Sequence, residues 1–122
     1  MASDTPLARE DFRRLIAISE PRPLTPPGRV WSNEQMRRIR LGLKARDMDE
    51  RWLALTEENR LYLHRSWTGF GIYEAVFAPR AEGWQITAAW VESNPERYRV
   101  GDDQHERDSL ERLIRDVVVN DR

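Results

Sequence analysis

Period-two alternation dominates the middle of the chain. Arg51 to Thr56, Leu61 to Trp67, Phe70 to Ala78 and Trp84 to Glu92 interleave apolar or aromatic side chains with polar ones, as half-buried strands do. Their separators are short and polar: Glu57-Glu58-Asn59, Thr68-Gly69 and Pro79-Arg80-Ala81-Glu82-Gly83. Connections this short join antiparallel neighbours, so the spacing predicts a four-stranded meander.

Helical periodicity flanks the strands on both sides. Ser32 ahead of Asn33-Glu34-Gln35 makes a capping box, and a helix is expected from Asn33 to Arg46 with Met36, Ile39 and Leu43 on one face. Gly42 weakens that helix by about 1 kcal/mol relative to alanine, and Asp47-Met48-Asp49-Glu50 marks its exit. A second helix is expected from Asp103 to Val118, with Asp102 and Asp103 at its positive end, Asp103 and Glu106 as a cap pair, and Leu110, Leu113, Ile114 and Val117 as its apolar stripe. Lying on the sheet, these helices give an α+β fold, an antiparallel meander covered by the C-terminal helix and the one before it.

Four prolines between Pro21 and Pro27 interrupt all periodicity. Proline fixes φ and lacks an amide donor, so this stretch reads as an extended linker that pairs with little. Ahead of it, Leu7 to Ile18 is expected as a short docking helix that buries Leu7, Leu15, Ile16 and Ile18. The expected organisation is an arm and linker over residues 1–28 and one α+β domain over 29–122.

Composition removes whole classes of chemistry. No cysteine is present, so disulfides, thiolate metal sites and cysteine nucleophiles are excluded. The two histidines, His64 and His105, lack metal-ligand spacing, and no metal or other cofactor is expected. No apolar run is long enough to span a membrane, and the charged N-terminus does not read as a secretory signal, so the expectation is a cytoplasmic protein with no membrane partner. Twenty basic residues oppose 21 acidic ones for a net charge of -1, which excludes binding to anionic polymers by overall charge. Lys44 is the only lysine among the basic residues, a bias that fits genomic base composition better than selection for anion binding.

The most distinctive stretch is Leu61 to Glu74. If Thr68-Gly69 is a two-residue turn, Trp67 faces Phe70, Arg65 faces Ile72 and Leu63 faces Glu74. One face then carries Arg65 and Glu74 as diagonal neighbours, and the other carries His64, Ser66 and Tyr73. Arg65 with Glu74 reads as a structural clasp or as part of a polar pocket, with Trp67 as stacking surface. Alternation separates Glu74 from His64, so a Ser-His-Glu triad fails within this hairpin. The Gly-x-Ser-x-Gly elbow is absent, and Gly69-Phe70-Gly71 lacks the third glycine and the strand-helix turn of a nucleotide loop.

The run His64-Arg65-Ser66-Trp67-Thr68-Gly69, preceded by Asp49-Glu50-Arg51-Trp52 and followed by Ile72-Tyr73-Glu74, resembles an uncharacterised bacterial family with this hairpin signature. Similar segments are appended to some ADP-ribosylglycohydrolase-like proteins. The likeness covers about Met48 to the C-terminal helix and leaves the proline-rich arm outside. It implies no particular activity, cofactor or catalytic residue.

Three functions remain. The favoured one is a non-enzymatic accessory module that binds a protein or small polar ligand through His64, Arg65, Ser66, Trp67, Thr68, Tyr73 and Glu74. Five tryptophans in a short arginine-rich chain suit such a surface, and open sheet edges admit a partner strand or a second copy of the chain. An alternative is nucleic-acid binding by the helix over residues 33–46, where Arg37, Arg40 and Lys44 would share a flank in a region carrying Arg29, Arg38 and Arg46 against Glu34. A second alternative is hydrolysis in ADP-ribose metabolism, with His64 as base.

Overall fold

Alternation builds the expected meander and the sheet grows beyond it. The computed structural model describes residues 5–45 and 50–120. Strands β3 (Trp52–Glu57), β4 (Arg60–Arg65), β5 (Gly71–Arg80) and β6 (Gly83–Glu92) follow one another as antiparallel neighbours. Two short strands, β1 (Pro21–Leu24) and β2 (Val30–Trp31), both pair antiparallel with the remaining edge of β6. The sheet is therefore six-stranded rather than four-stranded, in the order β1-β6-β5-β4-β3 with β2 also on β6.

The expected linker is thus partly a strand. Pro21 and Pro23 alternate, so both missing amide donors fall on one side of β1. Arg22 and Leu24 keep their donors for β6, which is the arrangement an edge strand tolerates. The same two prolines blunt the outer edge of β1 against a further strand.

Helix α1 (Asn33–Leu41) starts where the capping box places it. Ser32 Oγ accepts from Gln35 N at 3.0 Å and Gln35 Oε1 accepts from Ser32 N at 2.9 Å. It ends at Leu41, five residues before the expected Arg46, because Gly42 turns to φ 80° and terminates it. Gly42 is the stop signal of this helix and not a weak interior position. A Cβ there would lie 2.7 Å from Ala54 O, and the chain beyond it pairs Leu43 with Ala54 of β3. Lys44 is consequently off the helix, and the expected flank of Arg37, Arg40 and Lys44 does not form. Arg46 and the expected exit at Asp47-Met48-Asp49 lie outside the described residues.

Helix α2 (Asp103–Leu113) continues through a π-helical segment, Ile114–Val119. Its cap is Asp102, whose Oδ1 accepts from His105 N at 2.8 Å, while Asp103 instead accepts from Thr25 N at 2.9 Å. Glu106 does not cap. It is fully buried and accepts from Tyr73 Oη (2.5 Å), Tyr98 Oη (2.9 Å) and Gly101 N (2.7 Å). Of the expected stripe, Leu110 and Ile114 are buried, joined by Val118, while Leu113 and Val117 sit at the margin. These residues close the main core with Met36 and Ile39 of α1 and Leu61, Leu63, Tyr73, Ala75 and Phe77 of the sheet.

The opposite face is covered by the N-terminal arm, which is not helical over Leu7 to Ile18. It makes a single 3-10 turn, Arg9–Asp11, and then runs extended. Phe12 is its buried anchor, packed with Leu53 and Leu55, while Leu7, Leu15, Ile16 and Ile18 are half-buried. A helix this short gains little alone, and the sheet offers its backbone better partners. Ile16 N donates to Gly69 O at 2.8 Å and Gly71 N donates to Ile16 O at 2.7 Å. Glu92, buried at the end of β6, accepts from Ser19 N (2.6 Å), Glu20 N (2.9 Å) and Asn94 N (3.0 Å).

Burial alone would raise the Glu92 carboxyl, but the three amides, helped by Arg97, outweigh it and hold its pKa below the usual carboxylate range. A folded-state pKa below the unfolded value stabilises the fold above the unfolded pKa, and that contribution is lost as pH falls through the folded pKa. Glu92→Ala should therefore cost on the order of 3 kcal/mol in urea unfolding at neutral pH, because three amides lose a charged acceptor. Glu92→Gln should flatten the acid limb of the melting-temperature profile. An unchanged profile would show that this carboxylate does not hold the arm.

Candidate functional site

The hairpin between β4 and β5 is where the sequence pattern concentrates polar chemistry, and its turn differs from expectation. Arg65 N donates to Phe70 O at 2.9 Å and Gly69 N to Arg65 O at 2.8 Å, so Ser66-Trp67-Thr68-Gly69 forms a four-residue loop rather than a two-residue turn. A bulge between Leu63 and His64 accompanies it. Leu63 therefore lies opposite Tyr73 and Tyr62 opposite Glu74, one position away from the expected register.

That displacement regroups the seven expected site residues. Glu74 pairs with Arg60 at 3.0 Å and not with Arg65, so the expected clasp does not form. Arg65 lies opposite Trp52 and stacks on its indole, with the guanidinium carbon 4.6 Å from the ring centre. Tyr73 belongs to the main core beneath α2, separated from His64, which faces Leu53 and the arm. Ser66 Oγ donates to Glu50 O at 2.7 Å, and Thr68 Oγ1 accepts from Phe70 N at 3.1 Å. Arg65, Ser66, Trp67 and Thr68 thus remain together at the loop, while His64, Tyr73 and Glu74 leave the group.

His64 acts as a strut. It is 3% exposed, and its Nδ1 lies 2.8 Å from Gly69 O, an acceptor, so Nδ1 carries the proton. Burial lowers its pKa, the hydrogen bond to Gly69 and the Glu74 charge offset part of that, and Arg9 adds to the lowering. Tyr73 and Tyr98 are both raised, chiefly by burial, and for Tyr73 also by hydrogen bonding to Glu106 and Tyr98, so both phenols stay protonated at neutral pH.

Two clefts meet at the loop. The larger, about 640 Å³, is lined by Arg51, Arg65, Trp67, Thr68, Phe70, Glu96, Arg97, Tyr98 and Arg99. The smaller, about 450 Å³, lies on the arm side of the loop and includes Arg13, Arg14, Lys44, Ser66, Trp67 and Thr68. Trp67 and Thr68 belong to both, and Trp67 is 70% exposed. Among the described residues four arginines line the first cleft and three cations the second. Among the described residues the ion pairs join other groups, such as Arg9 with Glu57, Arg37 with Glu34 and Arg60 with Glu74, and none uses a cation of these clefts. Arg97 is held by Ala17 O at 3.2 Å and stacks on Phe70 at 4.5 Å.

The residues that sequence reasoning left out come mainly from the segment after β6 and from the arm. Arg97-Tyr98-Arg99, an aromatic between two arginines, was a visible signal. The approach of Arg13 and Arg14 was not, because it depends on the arm crossing the turn. There Gly69 adopts φ 79°, and a Cβ on it would lie 2.8 Å from Arg14 Cγ and 2.9 Å from Arg14 O.

Among the described residues no group of three or more His, Asp or Glu is placed to hold a metal, and no helix is long and apolar enough to cross a membrane. No family model matches the chain, and neither a curated protein nor a solved structure matches it.

The strut is testable. With its folded pKa below the ordinary 6.5, His64 supports the fold above that value, and the support is lost as pH falls through the folded pKa. His64→Asn keeps an amide donor near the position of Nδ1. It should retain the neutral-pH melting temperature within a few degrees while removing the decline between neutral and mildly acidic pH. A decline unchanged by this variant would assign it elsewhere.

Proposed function

We propose that this protein is a non-catalytic binding module whose ligand is an anion with a flat or apolar group, docked at the Trp67 end of the hairpin. The observation that carries the reading is the larger cleft. Arg51, Arg65, Arg97 and Arg99 converge beside an exposed indole, with Glu96 as the one carboxylate among the described lining residues. Arginine and tryptophan are the residue types that dominate binding hot spots. Guanidinium groups stacked on Trp52 and Phe70 are already oriented, so less side-chain freedom is lost when they grip an anion. The resemblance of the His64–Gly69 run to segments attached to ADP-ribosylglycohydrolase-like proteins fits a phosphate-bearing ligand.

The other two readings have weaker support. On α1, Arg37 is paired with Glu34 at 2.8 Å, Arg38 donates to Val119 O at 3.1 Å, and Arg40 bonds Asn59 and stacks on Trp84. A phosphate-tracking helix would need those groups turned outward. Hydrolysis with His64 as base would need the imidazole at the cleft, whereas it lies buried against Gly69.

The test is calorimetric titration with ADP and with uncharged adenosine. ADP should bind and adenosine should bind at least tenfold more weakly. Arg99→Gln and Arg51→Gln, both at exposed positions, should each reduce ADP affinity severalfold with unchanged melting temperature, whereas Arg37→Gln should not. Absence of binding by any anionic probe, or equal loss in Arg37→Gln, would overturn the reading.

A further inference from the structure

The second cleft has no role if the ligand is a small anion confined to the first. It lies across the same indole, carries Arg13, Arg14 and Lys44, and opens at exposed positions of the arm and of the segment after α1. Resting on the anion-binding reading above, we infer that the ligand is single-stranded nucleic acid, with its backbone passing from one cleft to the other and a base stacked on Trp67.

Three features select this class. Cations line both of the clefts that share one exposed indole, so phosphates flanking a base stacked there would find opposite charge. Both are clefts at a four-residue hairpin loop, into which a single strand with splayed bases fits more readily than the convex outside of a duplex. The net charge of -1 places no general positive field over the molecule, so the attraction is confined to this collar. An acidic peptide would satisfy the cations, but only one that also carried an aromatic or apolar side chain at the right spacing would use the indole, whereas every nucleotide brings a base. The surrounding aromatics suit the same ligand, since Phe70 and Tyr98 line the larger cleft beside Trp67.

The mechanism predicts two separable contributions. Stacking on Trp67 is largely indifferent to base identity, because every base has a π face. Phosphates held in the two clefts release counterions, so affinity falls with salt in proportion to the number of phosphates engaged.

Fluorescence anisotropy of the full chain with labelled single-stranded DNA and RNA of about twelve nucleotides, and with a duplex of equal length, tests the inference. The single strands should bind, DNA and RNA alike or one in preference, and the duplex at least tenfold more weakly. Trp67→Ala should weaken strand binding about tenfold or more. The double variant Arg13→Gln/Lys44→Gln, confined to the second cleft, should reduce the slope of log affinity against log salt by about 0.7 for each phosphate no longer neutralised, and should leave ADP binding unchanged. Circular dichroism and melting temperature identify any variant that fails to fold, and Trp67→Phe, which retains an aromatic face, should then restore binding partly. Strand binding that ignores the double variant would overturn the two-cleft path. Tighter binding of the duplex, or of polyglutamate with no strand binding, would overturn the ligand class while ADP binding kept the broader reading. Failure of ADP and strand together would remove both.

Discussion

One buried carboxylate fixes how this chain closes on itself. Glu92 stands at the end of β6, fully removed from solvent, and takes amide hydrogens from Ser19, Glu20 and Asn94. An ionised carboxylate in such a place is tolerable only when its oxygens are saturated with donors. The donors come from two segments that must therefore meet. Ser19 and Glu20 bring the arm to the sheet, and Asn94 begins the turn that carries Glu96 to Arg99. The amides of Arg97 and Tyr98 then both donate to Asn94 O, at 2.9 and 3.0 Å. One interaction at the base of the fold thus sets the path of the chain that supplies the wall of the larger cleft and of the arm that borders the smaller one.

Arginine plays two different parts in this molecule. Four of the five tryptophans carry a guanidinium over the ring: Arg29 on Trp31, Arg65 on Trp52, Arg40 on Trp84 and Arg60 on Trp90. Stacked in this way, an arginine covers apolar surface with its planar head and keeps its edge donors available, a use that lysine cannot match. Trp67 is 70% exposed and lines both of the cation-bearing clefts. An exposed indole gives up hydrophobic burial worth about 2 kcal/mol or more. The proposed binding surface is built on that exposure, at a point where cations gather from five segments of the chain among the described residues.

The sequence carried the local parts of this fold well. Alternation located β3 to β6, and the Ser32 and Gln35 spacing located the start of α1, because both signals are written within a few residues. The register of the β4–β5 hairpin was out of reach for the opposite reason. Thr68-Gly69 satisfies the chemistry of a two-residue turn, yet Ser66 N is drawn to Arg51 O just ahead of β3, and Gly69 O receives Ile16 N from the arm and His64 Nδ1 from β4. Those tertiary bonds lengthen the loop to four residues, and a shift of one position reassigns side chains between faces. Arg65, Ser66, Trp67 and Thr68 survived as neighbours because they belong to the loop itself. Tyr73, Glu74 and His64 did not, because their grouping depended on the register. The proline stretch misled for a related reason: proline forbids a central strand, but two prolines spaced by two permit an edge strand.

The same dependence gives the candidate site a conditional character. Arg13 and Arg14 sit beside Trp67 only while the arm lies across Gly69, and the arm lies there through two backbone bonds of Ile16, the buried ring of Phe12 and the amides held by Glu92. Gly69 makes the crossing possible, since a side chain would strike Arg14 and would also resist a φ of 79°. His64 braces the same turn from beneath through Gly69 O. His64, the residue offered as a catalytic base, and Gly69 of the turn therefore support the geometry of the cationic, aromatic surface. For the proposed ligand such rigidity would favour binding, because every side chain already fixed is freedom that binding does not have to remove.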